Sequence, residues 1–471
     1  MNSISDADSR MRILTSKLII WPALLLVLSL LGGAAYIIVI PPWQSPDEPT
    51  HFEYVRVLRD GDSFFSPRPD PALQQEIIAS LDEYDYWRYV GVERPIPLPE
   101  EFSRTPFLSY APSQVLKNPP LYYLIASLIL KCCPARELIG QMYRLRTLSL
   151  IFSLATVVMV FAAARLVFAG RLWPSLAAAG FVAFLPQFMV IGTSVSPDPL
   201  LNFLGASVVY QVLKNQKTGW RIAGTVSMLI LSAAGILVSY KFLILIPALF
   251  LAWFVYYLFR GIGPSAAVRF LTWCGLALVI IAVGYSFLAW NHPDIARIYV
   301  IRLSRLSSIV SDYCSGRTRV IPHYWSWFRN ELFKSFWLKF GWLRFEFSPV
   351  LYAVLKVASA LSLAGLAAGM IKWIFGNSLA EKCEKKFILT LIAYAVSALG
   401  AYFLFWGLKG EDTTTQGRHL FLVLPAWAIL FIWGWKELFP SRWEKRACLV
   451  LLLCFILLDA VALIGYVIPA F

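Results

Sequence analysis

The chain alternates long apolar runs with short polar breaks. Runs at 18–40, 147–168, 172–192, 199–213, 221–239, 241–259, 268–290, 349–375, 387–408, 418–437 and 447–468 stand out. Most have the roughly 20-residue length that carries a helix across a bilayer core. Together they predict an all-α polytopic membrane protein with about eleven transmembrane helices. Two long stretches, 41–146 and 291–348, break the rhythm. A further apolar segment, 119–133, is short for a crossing and opens on Pro119-Pro120. The first run follows Arg10, Arg12 and Lys17 and ends at Pro41-Pro42. It is longer than a signal-peptide core, so it reads as an uncleaved first span.

Charge decides how 119–133 lies. If it stays on one side, the loops with Arg165/Arg171, Lys214/Lys217/Arg221, Arg260/Arg269, Lys372/Lys382/Lys385/Lys386 and Lys436/Arg442/Lys445/Arg446 share a side with the N-terminus. The short loops opposite then hold only Lys241, Lys409 and Arg418. Cations gather on the cytoplasmic side of membrane proteins, so the N-terminus is expected in the cytoplasm and the C-terminus outside. The segment 119–133 becomes an interfacial helix of the first outer loop. A second interfacial helix is expected in the fourth outer loop, 291–348, where Arg329, Lys334, Lys339 and Arg344 alternate with Trp327, Phe328, Phe333, Phe336, Trp337 and Trp342.

Composition agrees with this picture. Charged residues make up 15% of the chain, against roughly 25% in soluble domains. The net charge of +14 is spread among hydrophobic helices, which argues against a nucleic-acid partner. The seven cysteines show no CxxC or Cys/His metal spacing.

On this topology the polar clusters that are hardest to explain all fall on the outer face. Asp47, Glu48 and His51 follow the first helix between prolines. A carboxylate at the rim of a low-dielectric site can act as a general base; a helix cap is the plainer alternative. Lys117-Asn118-Pro119-Pro120-Leu121-Tyr122-Tyr123 opens the short helix, where helix-start chemistry and a phosphate site are both open. Asp198 lies between two spans, as a cap or a site acid. Lys241 is close to the hydrocarbon boundary, where a lysine snorkels or finds a partner. Arg418 follows Gln416-Gly417 and precedes His419, as an interfacial anchor or a phosphate clamp. Jointly these acids and cations form the set needed to deprotonate a nucleophile and stabilise a departing phosphate.

The stretch Pro46-Asp47-Glu48-Pro49-Thr50-His51-Phe52 resembles the PDEPxHF signature of a bacterial membrane family known mainly as a domain of unknown function. That family resembles the GT-C glycosyltransferases, among them protein O-mannosyltransferases and the lipid A aminoarabinose transferase. The resemblance runs along nearly the whole chain. It includes Lys117 to Tyr123, Arg144-Leu145-Arg146-Thr147-Leu148-Ser149, Asp198, Tyr240-Lys241, Ser335-Phe336-Trp337 with Phe340-Gly341-Trp342, and Gln416-Gly417-Arg418-His419. His419 stands where Tyr is usual, and Lys117 is one residue further from Pro-Pro than in the aminoarabinose transferases.

The resemblance implies a GT-C fold in a bacterial inner membrane, with the active site on the periplasmic or extracellular face. It implies inverting transfer of a hexosyl or pentosyl sugar from a polyprenyl-phosphate carrier, such as undecaprenyl phosphate, to a lipid, glycan or protein acceptor. Asp47, Glu48 and Asp198 would be catalytic, with Asp47 the general base. Lys117, Lys241 and Arg418 would hold the donor phosphate, and His51, Asn118, Tyr122, Gln416 and His419 the substrates. No cofactor is required on this reading, and a divalent cation is compatible with it. With no soluble domain after the last span, the outer loops would recognise the acceptor. Two other classes compete. A transporter or flippase of lipid-linked glycans should carry charges deep in its spans, and an O-antigen-type ligase or polymerase would use diphosphate-linked donors.

Overall fold

Pro41 and Pro42 supply no backbone N–H and end the first helix, α1 (Asn2–Val39). The chain then turns through Trp43 and Asp47, both with positive φ, at 69° and 58°. The computed structural model describes residues 2–61, 67–105, 118–260, 321–375, 379–409 and 416–471, together with Leu108, Val115, Leu116, Ser286 and Ser315. Every expected span coincides with a helix or a bent helix pair, except 268–290, which apart from Ser286 lies outside the described residues.

Three short helices follow the turn: α2 (Glu48–Asp60), α3 (Pro71–Glu83) and α4 (Tyr86–Val90). Asp70 caps α3 by accepting from the Ala72 and Leu73 amides, with Pro71 preset for the first turn. The segment expected to lie in the interface is the 12-residue helix α5 (Leu121–Cys132). Next come α6 (Leu138–Val167), α7 (Leu172–Ala183) and α8 (Pro186–Gly192). The expected span 172–192 is therefore broken: α7 and α8 meet at 59°, because Pro186 cannot continue the hydrogen-bond ladder.

The chain continues through α9 (Asp198–Thr218), α10 (Ile222–Val238), a 3-10 turn at Tyr240–Ile244 and α11 (Leu245–Arg260). The helix expected at 199–213 runs on to Thr218. It can carry Asn202, Gln211, Asn215 and Gln216 because protein surrounds it: all four are buried. After α12 (Ile321–Trp337) a two-stranded hairpin pairs Lys339 with Glu346 and Phe340 with Phe345. The last spans are α13 (Pro349–Phe375), α14 (Leu379–Lys409), a 3-10 segment Gly417–Val423 leading into α15 (Leu424–Glu437), and α16 (Glu444–Ala462). Among the described residues seven helices are long and apolar enough to cross a membrane, or eight if the bent pair counts as one span.

Polar ties define two ends of the bundle. At one end Arg146, in the third turn of α6, reaches the carbonyls at the end of α1, with Ile40 O at 2.6 Å. The C-terminus of α1 and the N-terminal part of α6 therefore lie at the same level, so α5 does not carry the chain across. At the other end Arg171 pairs with Glu444 at 2.6 Å and Lys436 with Glu384 at 3.1 Å, and Lys386 donates to the Gln216 carbonyl. Helices α13 and α15 cross closely where Gly365 meets Gly434, with Ser362 Oγ donating to Phe431 O at 2.9 Å. Small residues at such crossings let backbones pack directly, the usual means of joining helices in lipid.

Candidate active site

Four separate segments bring charge together at the end of the bundle defined by Arg146. Asp47 comes from the turn after α1, Asp198 from the first turn of α9, Lys241 from the 3-10 turn before α11, and Arg418 from the segment before α15. Lys241 Nζ is 3.2 Å from Asp198. Arg418 lies between the two acids, 3.7 Å from Asp47 and 3.8 Å from Asp198. Those last distances exceed a hydrogen bond, so a ligand oxygen can compete for the guanidinium. Arg418 Nε is buried with no hydrogen-bond partner among the described residues.

Asp47 owes its place to the backbone. It occupies the N-cap position of α2 but makes no capping bond. Its left-handed φ, one that Asp tolerates better than most residues, turns the carboxylate towards Arg418 instead. The side chain keeps 29% of its surface open, so a substrate can reach it.

Glu48 does not share this cleft with Asp47. Its carboxylate is fully buried, gripped by Arg146 Nε at 2.9 Å and Nη2 at 2.7 Å, and it also accepts the Val195 amide. Arg146 spends its other donors on the carbonyls of Ile37, Ile40 and Pro41. This knot joins α1, α2, α6 and the loop before α9, so it fixes the two segments that carry Asp47 and Asp198. Arg146 belongs to the Arg144–Ser149 element of the resemblance, which implies no role for it. An arginine among the apolar residues of α6 was the available signal, since such a group in a span needs a partner.

The aromatic wall is equally specific. Tyr123 Oη is 2.8 Å from His51 Nδ1 and accepts from Asn118 Nδ2 at 3.3 Å. Tyr54 stacks on Tyr123 at 4.0 Å and donates to the Asn118 carbonyl. Tyr122 is buried with its ring edge-on to Tyr123. Neither Tyr54 nor Tyr123 had been singled out for a role. The Gln416 backbone N–H donates to Tyr402 Oη, the Gly417 backbone N–H donates to Ser335 Oγ, and the His419 ring lies 5.5 Å from the Tyr402 ring. Lys117, the third expected phosphate cation, lies outside the described residues, as do Arg297, Arg302, Arg305, Arg317 and Arg319 of the fourth outer loop.

The donor set does not fit a divalent cation as it stands. Each acid is already faced by Lys241 or Arg418, and among the described residues no three His, Cys, Asp or Glu side chains converge. A hard cation wants an oxygen-rich shell without competing cations.

Beside the cleft, Glu53 is buried and accepts from Gln74 Nε2 at 2.6 Å. Burial raises its pKa from 4.5 to about 7, with the Gln74 bond opposing. The folded protein then holds a proton that the unfolded chain releases, so this group loses stability as pH rises from about 4.5 to 7. His51 works in the opposite direction. Burial lowers its pKa from 6.5 to about 4, so its contribution rises with pH between those values. Glu53→Gln isolates the first term: its melting temperature, followed against pH, should gain on the parent between about pH 4.5 and 7 and level off above. A difference that stays flat would mean Glu53 does not titrate there.

None of the curated proteins matches this chain. Among solved structures, the apo oligosaccharyltransferase of Archaeoglobus fulgidus superposes with a TM-score of 0.51 at 14% identity, over 96% of this chain and 55% of that one. The chain thus spans about half the length of that protein. The same archaeal enzyme, AglB, in complex with an inhibitory peptide and a dolichol-phosphate gives a TM-score of 0.49 at 14% identity, over 96% of this chain and 55% of its own. ArnT from Cupriavidus metallidurans, bound to undecaprenyl phosphate, gives 0.43 at 14% identity, over 97% and 74%. The first of these likenesses shows the fold alone, a polytopic helical membrane architecture shared with the archaeal oligosaccharyltransferase. A family model matches residues 30–426, most of the sequence, and the chain belongs to the family described as predicted membrane protein (DUF2142).

Proposed function

We propose that this protein is an inverting membrane glycosyltransferase that moves a hexosyl or pentosyl group from a polyprenyl-phosphate carrier to a lipid, glycan or protein acceptor. The observation that carries the reading is the convergence of Asp47, Asp198, Lys241 and Arg418 from four segments at one end of the bundle. The described loop cations gather at the opposite end, which supports a cleft on the non-cytoplasmic side, and the sequence resemblance supports a bacterial inner membrane as its setting. The PDEPxHF stretch that contains Asp47 is read as the signature of the site.

In this mechanism Asp47 takes the proton of an acceptor hydroxyl. The acceptor oxygen bonds to the anomeric carbon as the bond to the phosphate oxygen breaks, and the configuration inverts. The electron pair leaves with the polyprenyl phosphate, whose growing charge meets Lys241 and Arg418, joined by Lys117 from the resemblance. Cations placed in advance where charge develops lower the barrier most. Asp198 holds Lys241 and Arg418 in place, and Glu48 with Arg146 holds the backbone around Asp47, a positioning task rather than a chemical one. Asn118, Tyr122, Gln416 and His419 line or brace the substrate walls.

Lys241→Met should weaken binding of polyprenyl phosphate about tenfold or more, since a charge-assisted hydrogen bond contributes about 1.5–3 kcal/mol. Titration of the carrier into purified protein in nanodiscs measures it. Unchanged affinity would remove Lys241 from the phosphate site.

The arrangement favours this reading over a transporter. The charges gather at one end of the bundle rather than along the spans. The buried Tyr36–Asp459 pair, at 2.8 Å, joins α1 to α16 and does not extend as a relay among the described residues.

A further inference from the structure

We infer that His51 enters the reaction as a neutral Nε2–H donor to an oxygen of the bound sugar or its phosphate, with its tautomer set by Asn118 and Tyr123. The inference rests on the reading of the cleft as a transferase site and assigns one group in it a protonation state and a direction. Asn118 Nδ2 can only donate, so Tyr123 Oη accepts from it at 3.3 Å. The buried Tyr123 hydroxyl has no acceptor among the described residues other than His51 Nδ1, 2.8 Å away, and buried hydroxyls give their proton to an available acceptor. Nδ1 is an acceptor in that bond, so a neutral ring must carry its proton on Nε2.

The ring stays neutral because it is buried: desolvation lowers its pKa to about 4, aided by Lys241 and Arg418 and opposed by Asp47 and Asp198. The same four groups, from four different segments, are near enough for their charges to act on His51. Its stacking on Tyr123, at 5.8 Å, and the Tyr54–Tyr123 stack keep it from rotating. No described residue takes the Nε2 proton, so the donor remains for a ligand. A neutral donor suits a site with Lys241 and Arg418 already present, because it adds a directed hydrogen bond without a third charge. It also leaves the base role to Asp47, since a ring whose free lone pair is already bonded to Tyr123 cannot take the acceptor's proton.

Two readouts separate this inference from the transferase reading. The chain has four histidines, so protein labelled with ¹⁵N-histidine gives few ring signals, and loss of one in His51→Gln assigns His51. At neutral pH the expected ring is unprotonated at Nδ1 and protonated at Nε2, and Tyr123→Phe is expected to disturb that state. A ring protonated at Nδ1, or doubly protonated, overturns the inference whatever the enzyme does.

The second readout is transfer from polyprenyl-phosphate sugars. His51→Gln presents an amide N–H near the position of Nε2 and should keep activity within about threefold, while His51→Leu should lose about tenfold or more. Equal activities of the Leu variant and the parent overturn the donor role, as do equal losses in the Gln and Leu variants. If the parent consumes no donor, the transferase reading fails, and the ring signals still decide the tautomer.

Discussion

Asp47→Asn is expected to lower the rate of glycosyl transfer by about 10²–10⁴-fold, the usual contribution of a positioned general base, while the protein folds and binds polyprenyl phosphate as before. The substitution keeps the shape and the backbone preference: Asn accepts the left-handed φ of 58° as readily as Asp does. It removes the only property the mechanism needs, an acceptor for the proton of the incoming hydroxyl. Arg418 loses one of its two carboxylates but keeps Asp198 at 3.8 Å, so the cation stays in place and carrier binding should hold. Turnover with a saturating donor, beside a carrier titration, checks both halves. A variant with half the parent's activity would take the base role away from Asp47. A variant that loses carrier binding as well would make Asp47 a structural partner of Arg418.

Arg146→Met should cost stability on the scale of about 3–5 kcal/mol, the loss seen when one partner of a buried ion pair is removed. Arg146 and Glu48 have 1% and 0% of their side chains exposed, so Glu48 would be left charged or forced to take up a proton. The carbonyls of Ile37, Ile40 and Pro41 would lose their donor as well. Folded yield and melting temperature in detergent report the loss. Adding Glu48→Gln should recover part of it, because the stranded charge is gone, though the orphaned carbonyls remain. Recovery of nothing would mean the carbonyl contacts, rather than the ion pair, carry the knot. In any variant that still folds, transfer should fall further than carrier binding, because the knot places Asp47.

The spans were legible because lipid demands long apolar helices, and the charge asymmetry of the loops resolved the one ambiguous segment, Leu121–Cys132. The sequence also named Asp47, Asp198, Lys241 and Arg418, since charges at a membrane boundary need an explanation. It misread Glu48 as a partner in the cleft. Adjacent residues at a turn can point in opposite directions, and only the fold shows that Arg146, nearly a hundred residues later, claims that carboxylate. The bend at Pro186 could have been anticipated from the proline. The full length of Asp198–Thr218 could not, because its polar residues are tolerated only where neighbouring helices cover them. Tyr54 lies outside every motif and Tyr123 only closes the Lys117–Tyr123 element, so their role emerges from the stack beside His51.

The most direct test of the central claim is to offer the purified protein in nanodiscs a panel of radiolabelled polyprenyl-monophosphate sugars with membrane acceptors, and to follow cleavage of the sugar–phosphate bond. The account predicts that at least one donor is consumed, releasing polyprenyl phosphate and yielding a product of inverted anomeric configuration. Carriers that cross the membrane uncleaved, or cleavage of diphosphate-linked glycans alone, would contradict it.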